Sequence, residues 1–389
     1  MRGHIEELPS GAFRVSIPLG KDPKSGQYLR SSQTVKGTKK DAERTLTKML
    51  HDLDIGSYVE PAKQTVAEYL EQWLKDFVAT KVDKPKTRRS YEMIVHRHLI
   101  PALGHVKLSR LTPAMVQGYY TRTLESGRLG TDGKPLGKPL SQTTVAHHHA
   151  VLHDALEFAV RLGLVGRNVA DAVEPPKIRR KELVVWSEDE VRSFLTAARD
   201  SRYYPVFVLA LTTGLRAGEL FALRWQDVDL NASALTVNQT LEKPGPNPRF
   251  GRPKSKASRR TVTLSHAAVE ALRSHKAKQN EERLQVGEAW HDFGLCFCVF
   301  DGKPLRPGNF RRDVFLPLIE KANVSLIRFH DLRHSHATML LTAGIHPKVV
   351  SERLGHSGIG ITLDTYSHVM PSLQRDAADT LDRRLFGTA

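Results

Sequence analysis

Arg328-Phe329-His330-Asp331-Leu332-Arg333-His334-Ser335-His336, followed by Leu354-Gly355-His356 and Thr365-Tyr366, decides the reading of this 389-residue chain. A cation, imidazoles and a phenol in that order are the groups needed to attack a phosphodiester without a metal. Far upstream, Thr212-Thr213-Gly214-Leu215-Arg216-Ala217-Gly218-Glu219-Leu220 adds a second arginine where an apolar helix should start. At such a start, backbone N–H groups and the helix dipole favour an anion. Arg216 and Arg333 can each grip non-bridging oxygens by forked hydrogen bonds that a lysine cannot reproduce. Arg333 stands three residues after His330, so both face one side of a helical turn. His356 follows a glycine, which allows a tight approach of backbone to ligand. Tyr366 is the candidate nucleophile. A phenol ionises near pH 10, and the nearby cations are expected to lower that value. Together these residues describe a DNA-cutting site.

Such a site also needs an acid for the departing sugar oxygen. The segment Phe250 to Arg260 is dense in cations and joins two expected strands. Lys254 and Lys256 lie two residues apart and would point the same way in extended backbone, so periodicity does not choose between them. His334 and His336 flank the motif and are assigned to packing or backbone hydrogen bonds. A zinc site at His330, His334 and His336 is disfavoured, because the third spacing leaves the face shared by the first two.

Lys plus Arg number 58 against 42 for Asp plus Glu, a formal charge of +16 that favours a polyanionic partner. Cys296 and Cys298 are the only cysteines. A C-x-C pair in one apparent strand lacks the reach for a sound disulfide, so buried thiols in a reducing cytoplasm are expected. Met1 to Glu7 has no apolar signal core, and no stretch is long enough to span a bilayer. Export and membrane insertion are not expected.

The first sixty residues form a module of their own. Phe13 to Ile17 alternates like a half-buried strand, Tyr28 to Val35 offers a second, and Lys39 to Leu53 carries apolar residues at helical spacing, with Gly56 as its stop. A helical domain follows, with starts at Thr65 and Thr112-Pro113, a basic helix from Lys86 to Ile100 that Pro101 ends, and a long helix from Ser141 to Leu162. Gly127 to Pro139 is expected to be a mobile loop. His147, His148 and His149 point three ways around their helix and cannot share a metal. Glu174 to Lys181 reads as an extended basic linker. The third domain opens at Ser187, with helices expected at 187–199, 204–213 and 217–223 and strands at 234–240 and 260–264.

Thr213-Gly214-Leu215-Arg216-x-Gly218-Glu219-Leu220, His330-x-Leu332-Arg333, Leu354-Gly355-His356 and Tyr366 resemble the motifs of the tyrosine recombinase family in identity, order and spacing. The likeness is greatest to its three-domain bacteriophage and mobile-element integrases. The resemblance implies a multidomain, mainly α fold with small β elements. Residues 1–60 would be an arm-type DNA-binding domain, a three-stranded sheet plus helix. Residues 64–172 would form a helical, SAM-like core-binding domain and 173–183 a basic linker. Residues 184–389 would form a mixed α/β catalytic domain with a C-terminal tail.

The same resemblance implies that Tyr366 attacks the scissile phosphate, giving a 3′-phosphotyrosine and a free 5′-hydroxyl. Arg216, Arg333, His330 and His356 would stabilise the transition state, with His330 also a possible proton acceptor. The family pattern puts the acid at Lys256, with Lys254 as the alternative, and it requires no metal or nucleotide cofactor. The implied partners are double-stranded DNA at core and arm sites, and further copies of the chain in a homotetramer acting through a Holliday junction. An excisionase or DNA-bending accessory protein would join them, and no membrane is involved. Candidate DNA contacts are Arg14, Lys24 and Arg30 in the first module, Lys86, Arg88 and Arg89 in the helical domain, Lys177, Arg179 and Arg180 in the linker, and Lys254. Rival readings are a resolvase or invertase with the same site, a DNA-binding regulator whose site has decayed, and a topoisomerase-like relaxing enzyme. The first sixty residues speak against the first and the intact residue set against the second.

Overall fold

Side-chain oxygens start most of the long helices. Thr38, Thr65, Thr112, Ser141, Ser187 and Ser265 each accept a hydrogen bond from the backbone N–H three residues on. After Thr38, Thr65 and Ser187, the acid at that third position bonds back to the cap, completing a capping box. The computed structural model describes residues 3–21, 25–55, 58, 63–82, 84–178, 183–245, 247–253, 256–366 and 373–387, with backbone alone at 256 and 373–377. The chain divides into two units, Met1–Lys181 and Glu182–Ala389.

In the first unit, His4–Glu7, Phe13–Lys21 and Tyr28–Val35 pair as an antiparallel sheet in sequence order. Alternation along the middle strand turns Val15 and Ile17 inward, where they pack with Ala42 and Met49 of the helix Lys39–Asp54. The opposite face carries Arg14 and Arg30, both exposed. Lys24 and Gly56 lie outside the described residues.

The rest of the unit is helical: Val66–Trp73 running on through the wider turn Leu74–Val78, then Pro85–Ile94, Pro113–Ser126 and Gln142–Arg161. They close round Tyr69, Leu70, Trp73, Leu99, Tyr120 and Leu152. Pro101 does not end its helix. The chain passes through a five-residue wide turn, Val95–Leu99, and a last turn, Ile100–Leu103, that contains the proline. A widened turn is one way to accommodate a ring that has no N–H and crowds the carbonyl four residues back.

The segment 127–139 is also more ordered than its Gly, Lys and Pro content suggests. It forms a small hairpin in which Arg128 N–H donates to Lys138 O (2.9 Å) and Leu136 N–H to Arg128 O (2.9 Å), while Arg97 donates to the Gly130 carbonyl. His148 and His149 meet the hydroxyls of Tyr119 (2.7 Å) and Tyr120 (2.9 Å). Residues 174–178 have no regular structure; Arg179 and Arg180 lie outside the described residues.

The second unit is built round Tyr204–Thr213, a helix apolar on every side and therefore buried on every side. Against it pack Glu188–Ala198, His266–Val286 and Asp331–Thr342. Val228–Asp229, Ala234–Thr236 and Thr261–Thr263 form a small antiparallel sheet. The excursion between the last two strands carries its own ladder, Thr240–Lys243 with Arg249–Gly251, so the expected single strand 234–240 is two. Cys296 and Cys298 are buried and unbridged, but they lie among isolated bridges, not in a strand. Among the described residues, no helix is long and apolar enough to cross a membrane.

Candidate active site

Gly214 ends the central helix in the left-handed conformation (φ 65°), and a side chain there would stand 2.6 Å from both His336 and Leu354. The turn therefore presses against two other motif-bearing helices. Its carbonyl accepts a hydrogen bond from Arg333 Nη1 at 2.7 Å. Arg333 is 3% exposed, and its Nη2 has no hydrogen-bond partner among the described residues. Burial, with Arg216 beside it, pushes the guanidinium pKa down to about 9. A buried cation with a spare donor calls for an anion.

Arg216 is held differently from what the sequence suggests. Its helix, Ala217–Leu220, is only four residues long, and the carboxylate at its start belongs to Glu219. Glu219 accepts from the Arg216 backbone N–H (3.1 Å) and from Nη1 (2.8 Å), while Arg216 Nη2 donates to the Gly355 carbonyl at 3.2 Å. Glu219 is 4% exposed and also pairs with Arg260 at 3.1 Å. Burial raises its pKa, but Arg260 and Arg216 outweigh that and hold the carboxyl below its usual value. Arg260 Nε donates to Arg353 O at 2.6 Å. Glu219 and Arg260 thus tie Arg216 to the turn that presents His356.

That turn needs its glycine. Gly355 sits at φ 68°, where a side chain would come within 2.8 Å of Arg260. His356 Nδ1 meets Thr362 Oγ1 at 2.8 Å. Burial, then Arg333, Arg216 and Arg260, lower its pKa to about 4. His330 stands at the N-terminal end of the helix Asp331–Thr342, its side chain making no capping bond. It keeps one side open to solvent, yet the atoms packed round it and Arg333 still lower its pKa. Its ring sits edge-on to His334, with centroids 5.3 Å apart.

Tyr366 ends the helix Ile359–Tyr366 and is 1% exposed, packed with Ala337, Leu341, Val350 and Leu354. The expectation that cations would lower its pKa fails. Burial outweighs Arg333 and pushes the phenol up to about 12. Its hydroxyl meets His334 Nδ1 at 2.7 Å. His334, assigned to packing from sequence, is therefore at the phenol, a contact across 32 residues that no local pattern announces. His336 is a packing residue, buried with Nδ1 on the Leu211 carbonyl at 2.8 Å.

Arg216, Arg333, His330, His356 and Tyr366 are thereby brought into one electrostatic neighbourhood. Lys256 opens a short turn, Lys256–Ser258, whose lysine side chain is not described, and Lys254 lies outside the described residues. Among the remaining cations, Lys86, Arg89 and Lys177 are exposed. Arg88 instead donates to the carbonyls of Ala79 and Val82.

The phage integrase family matches residues 185–372, and the phage integrase N-terminal SAM-like domain matches residues 65–124. An integrase of Streptomyces ambofaciens is 30% identical over 376 residues, covering 92% of this chain and 90% of that one. This chain belongs to the phage integrase family of tyrosine recombinases. Its fold is that of the Tn1549 transposon integrase solved with a circular intermediate DNA (TM-score 0.66, 21% identity, 82% of this chain and all of that one). It is also that of a lambda integrase tetramer solved on a Holliday junction (TM-score 0.56, 19% identity, 93% and 94%). Membership makes the chain an enzyme of DNA strand transesterification, a site-specific recombinase of phage or mobile-element type.

Proposed function

We propose that the chain is an integrase that cuts and rejoins DNA through a phosphotyrosine at Tyr366. The observation that carries the reading is Arg333, a buried guanidinium anchored on Gly214 with a free donor, beside Arg216 and the Tyr366 phenol. A phosphodiester set there takes forked hydrogen bonds from both arginines on its non-bridging oxygens, and His330 and His356 stabilise the charge that develops. The Tyr366 oxygen attacks phosphorus, leaving a 3′-phosphotyrosine, and the departing 5′-oxygen takes its proton from Lys256 or, failing that, Lys254. Rejoining to a partner strand reverses these steps and needs no metal or nucleotide.

On this reading the enzyme works as a homotetramer on two duplexes, as supported by the lambda integrase tetramer on a Holliday junction. The domains follow the boundaries 1–60, 64–172, 173–183 and 184–389. Arg14 and Arg30 on the free sheet face, with Lys24, contact arm DNA. Lys86, Arg89 and the linker cations Lys177, Arg179 and Arg180 follow the core-site backbone, and an excisionase or bending protein sets direction. The test is a nicked suicide duplex bearing the chain's own core site. The parent accumulates covalent adduct, and Tyr366→Phe binds the duplex but gives none; adduct from Tyr366→Phe would overturn the assignment.

A further inference from the structure

Tyr366 presents a difficulty that the arginines do not solve. A phenol that burial holds at about 12 is protonated at neutral pH, and cations placed to grip the phosphate do not remove its proton. Among the described residues, the hydrogen-bond partner of its hydroxyl is His334 Nδ1, at 2.7 Å. A neutral tyrosine needs an acceptor for its own proton, so the ring is the tautomer with the hydrogen on Nε2 and the lone pair on Nδ1. Burial, then His330, lower the His334 pKa to about 4, so the lone pair is present across the neutral range. His330 instead faces the His334 ring edge-on. The contact joins the helix Asp331–Thr342 to the helix Ile359–Tyr366, so His334 holds the nucleophile in place from a different element.

Building on the nucleophile reading above, we propose that His334 is a catalytic residue that holds the Tyr366 hydroxyl and accepts its proton at Nδ1 during attack. The bond from Tyr366 Oη to phosphorus forms as the proton moves to His334, and the bond from phosphorus to the 5′-oxygen breaks as that oxygen takes a proton from the lysine acid. In the ligation step the 5′-hydroxyl bonds to phosphorus and gives its proton back to the lysine, while the bond from phosphorus to Tyr366 Oη breaks and His334 returns its proton to the tyrosine. The large gap between phenol and imidazole basicity rules out a free phenolate beforehand. Transfer becomes favourable as the tyrosyl oxygen turns into an ester oxygen, and the adjacent phosphate charge stabilises the imidazolium.

The test is single-turnover cleavage of the same nicked duplex by full-length protein. His334→Asn keeps a hydrogen-bonding oxygen near the Nδ1 position but accepts no proton, and it should cleave about 10²-fold or more slowly while binding DNA as the parent does. Replacing Tyr366 by a fluorinated tyrosine, whose phenol ionises more readily, should recover most of that loss. In a parent background the fluorinated residue should change the rate by less than about tenfold, because the base already handles the proton. Cleavage by the His334→Asn protein within about threefold of the parent would overturn the proposal, as would a defect that the fluorinated residue leaves untouched. Where the Asn variant does not fold, His334→Gln and the fluorinated parent decide. A rate in the fluorinated parent that climbs in proportion to phenolate would also overturn it. Failure of the nucleophile reading itself shows separately, as adduct formed by Tyr366→Phe.

Discussion

Glu219→Gln isolates the carboxylate that couples Arg216 to Arg260. Glutamine keeps the shape and one oxygen for the Arg216 backbone N–H, while its amide NH2 then faces Arg216 Nη1, so the change removes the charge and that one acceptor. Two pairs are lost, and they differ in worth. Arg260 and Glu219, with side chains 7% and 4% exposed and 3.1 Å apart, form a buried pair; removing one partner of such a pair costs about 3–5 kcal/mol. Arg216 is 36% exposed, so solvent screens its share to at most about 1 kcal/mol. In a unit of this size a loss of about 3–5 kcal/mol lowers Tm by roughly 6–20 °C. Thermal unfolding at pH 7 followed by circular dichroism measures it. Pairing the change with Arg260→Met removes the stranded cation and should recover part of the loss, a coupling of about 1–3 kcal/mol. A Tm for Glu219→Gln within about 2 °C of the parent, or strict additivity of the two changes, would refute the buried-pair account.

Gly214→Ala places a side chain 2.6 Å from His336 and Leu354 at φ 65°. Left-handed strain and overpacking together should cost about 2–5 kcal/mol. Because Arg333 is anchored on the Gly214 carbonyl, cleavage by the folded fraction should fall as well; melting and single-turnover cleavage check both. His336, whose pKa is pushed down to about 4 by burial and then Arg353, favours the neutral form in the folded state. Its contribution to stability should therefore be full above roughly pH 6.5, the value in an unfolded chain, and decline as pH falls toward 4, by about 3 kcal/mol in all. Urea titrations at about pH 7.5, 5.5 and 4.5 read the slope, and His336→Asn, which keeps a donor for the Leu211 carbonyl, should flatten it.

What the sequence disclosed and what it hid divide along physical lines. The capped helix starts at Thr65, Thr112, Ser141 and Ser187 were legible because capping is local, and so was Tyr204–Thr213, an unbroken apolar run. The four motifs were legible because their residue types and order are unusual together. The Glu219–Arg260 pair, 41 residues apart, and the contact of His334 with Tyr366 were not, since tertiary packing alone creates them. Glu219 did carry a faint signal, standing three residues after Arg216 at capping-box spacing. The Tyr366 pKa went the other way because charge is visible in a sequence and desolvation is not. The hairpin within 127–139 was hidden because glycine and lysine content does not reveal cross-strand hydrogen bonds.

The central claim is that one phenol becomes bonded to DNA. Parent protein trapped on the nicked duplex, digested and sequenced by tandem mass spectrometry should carry a single nucleotide-linked residue, Tyr366, on the 3′-phosphate side of the cut. A nucleotide linked to any other side chain, or cleavage that leaves no covalent adduct, would contradict the account.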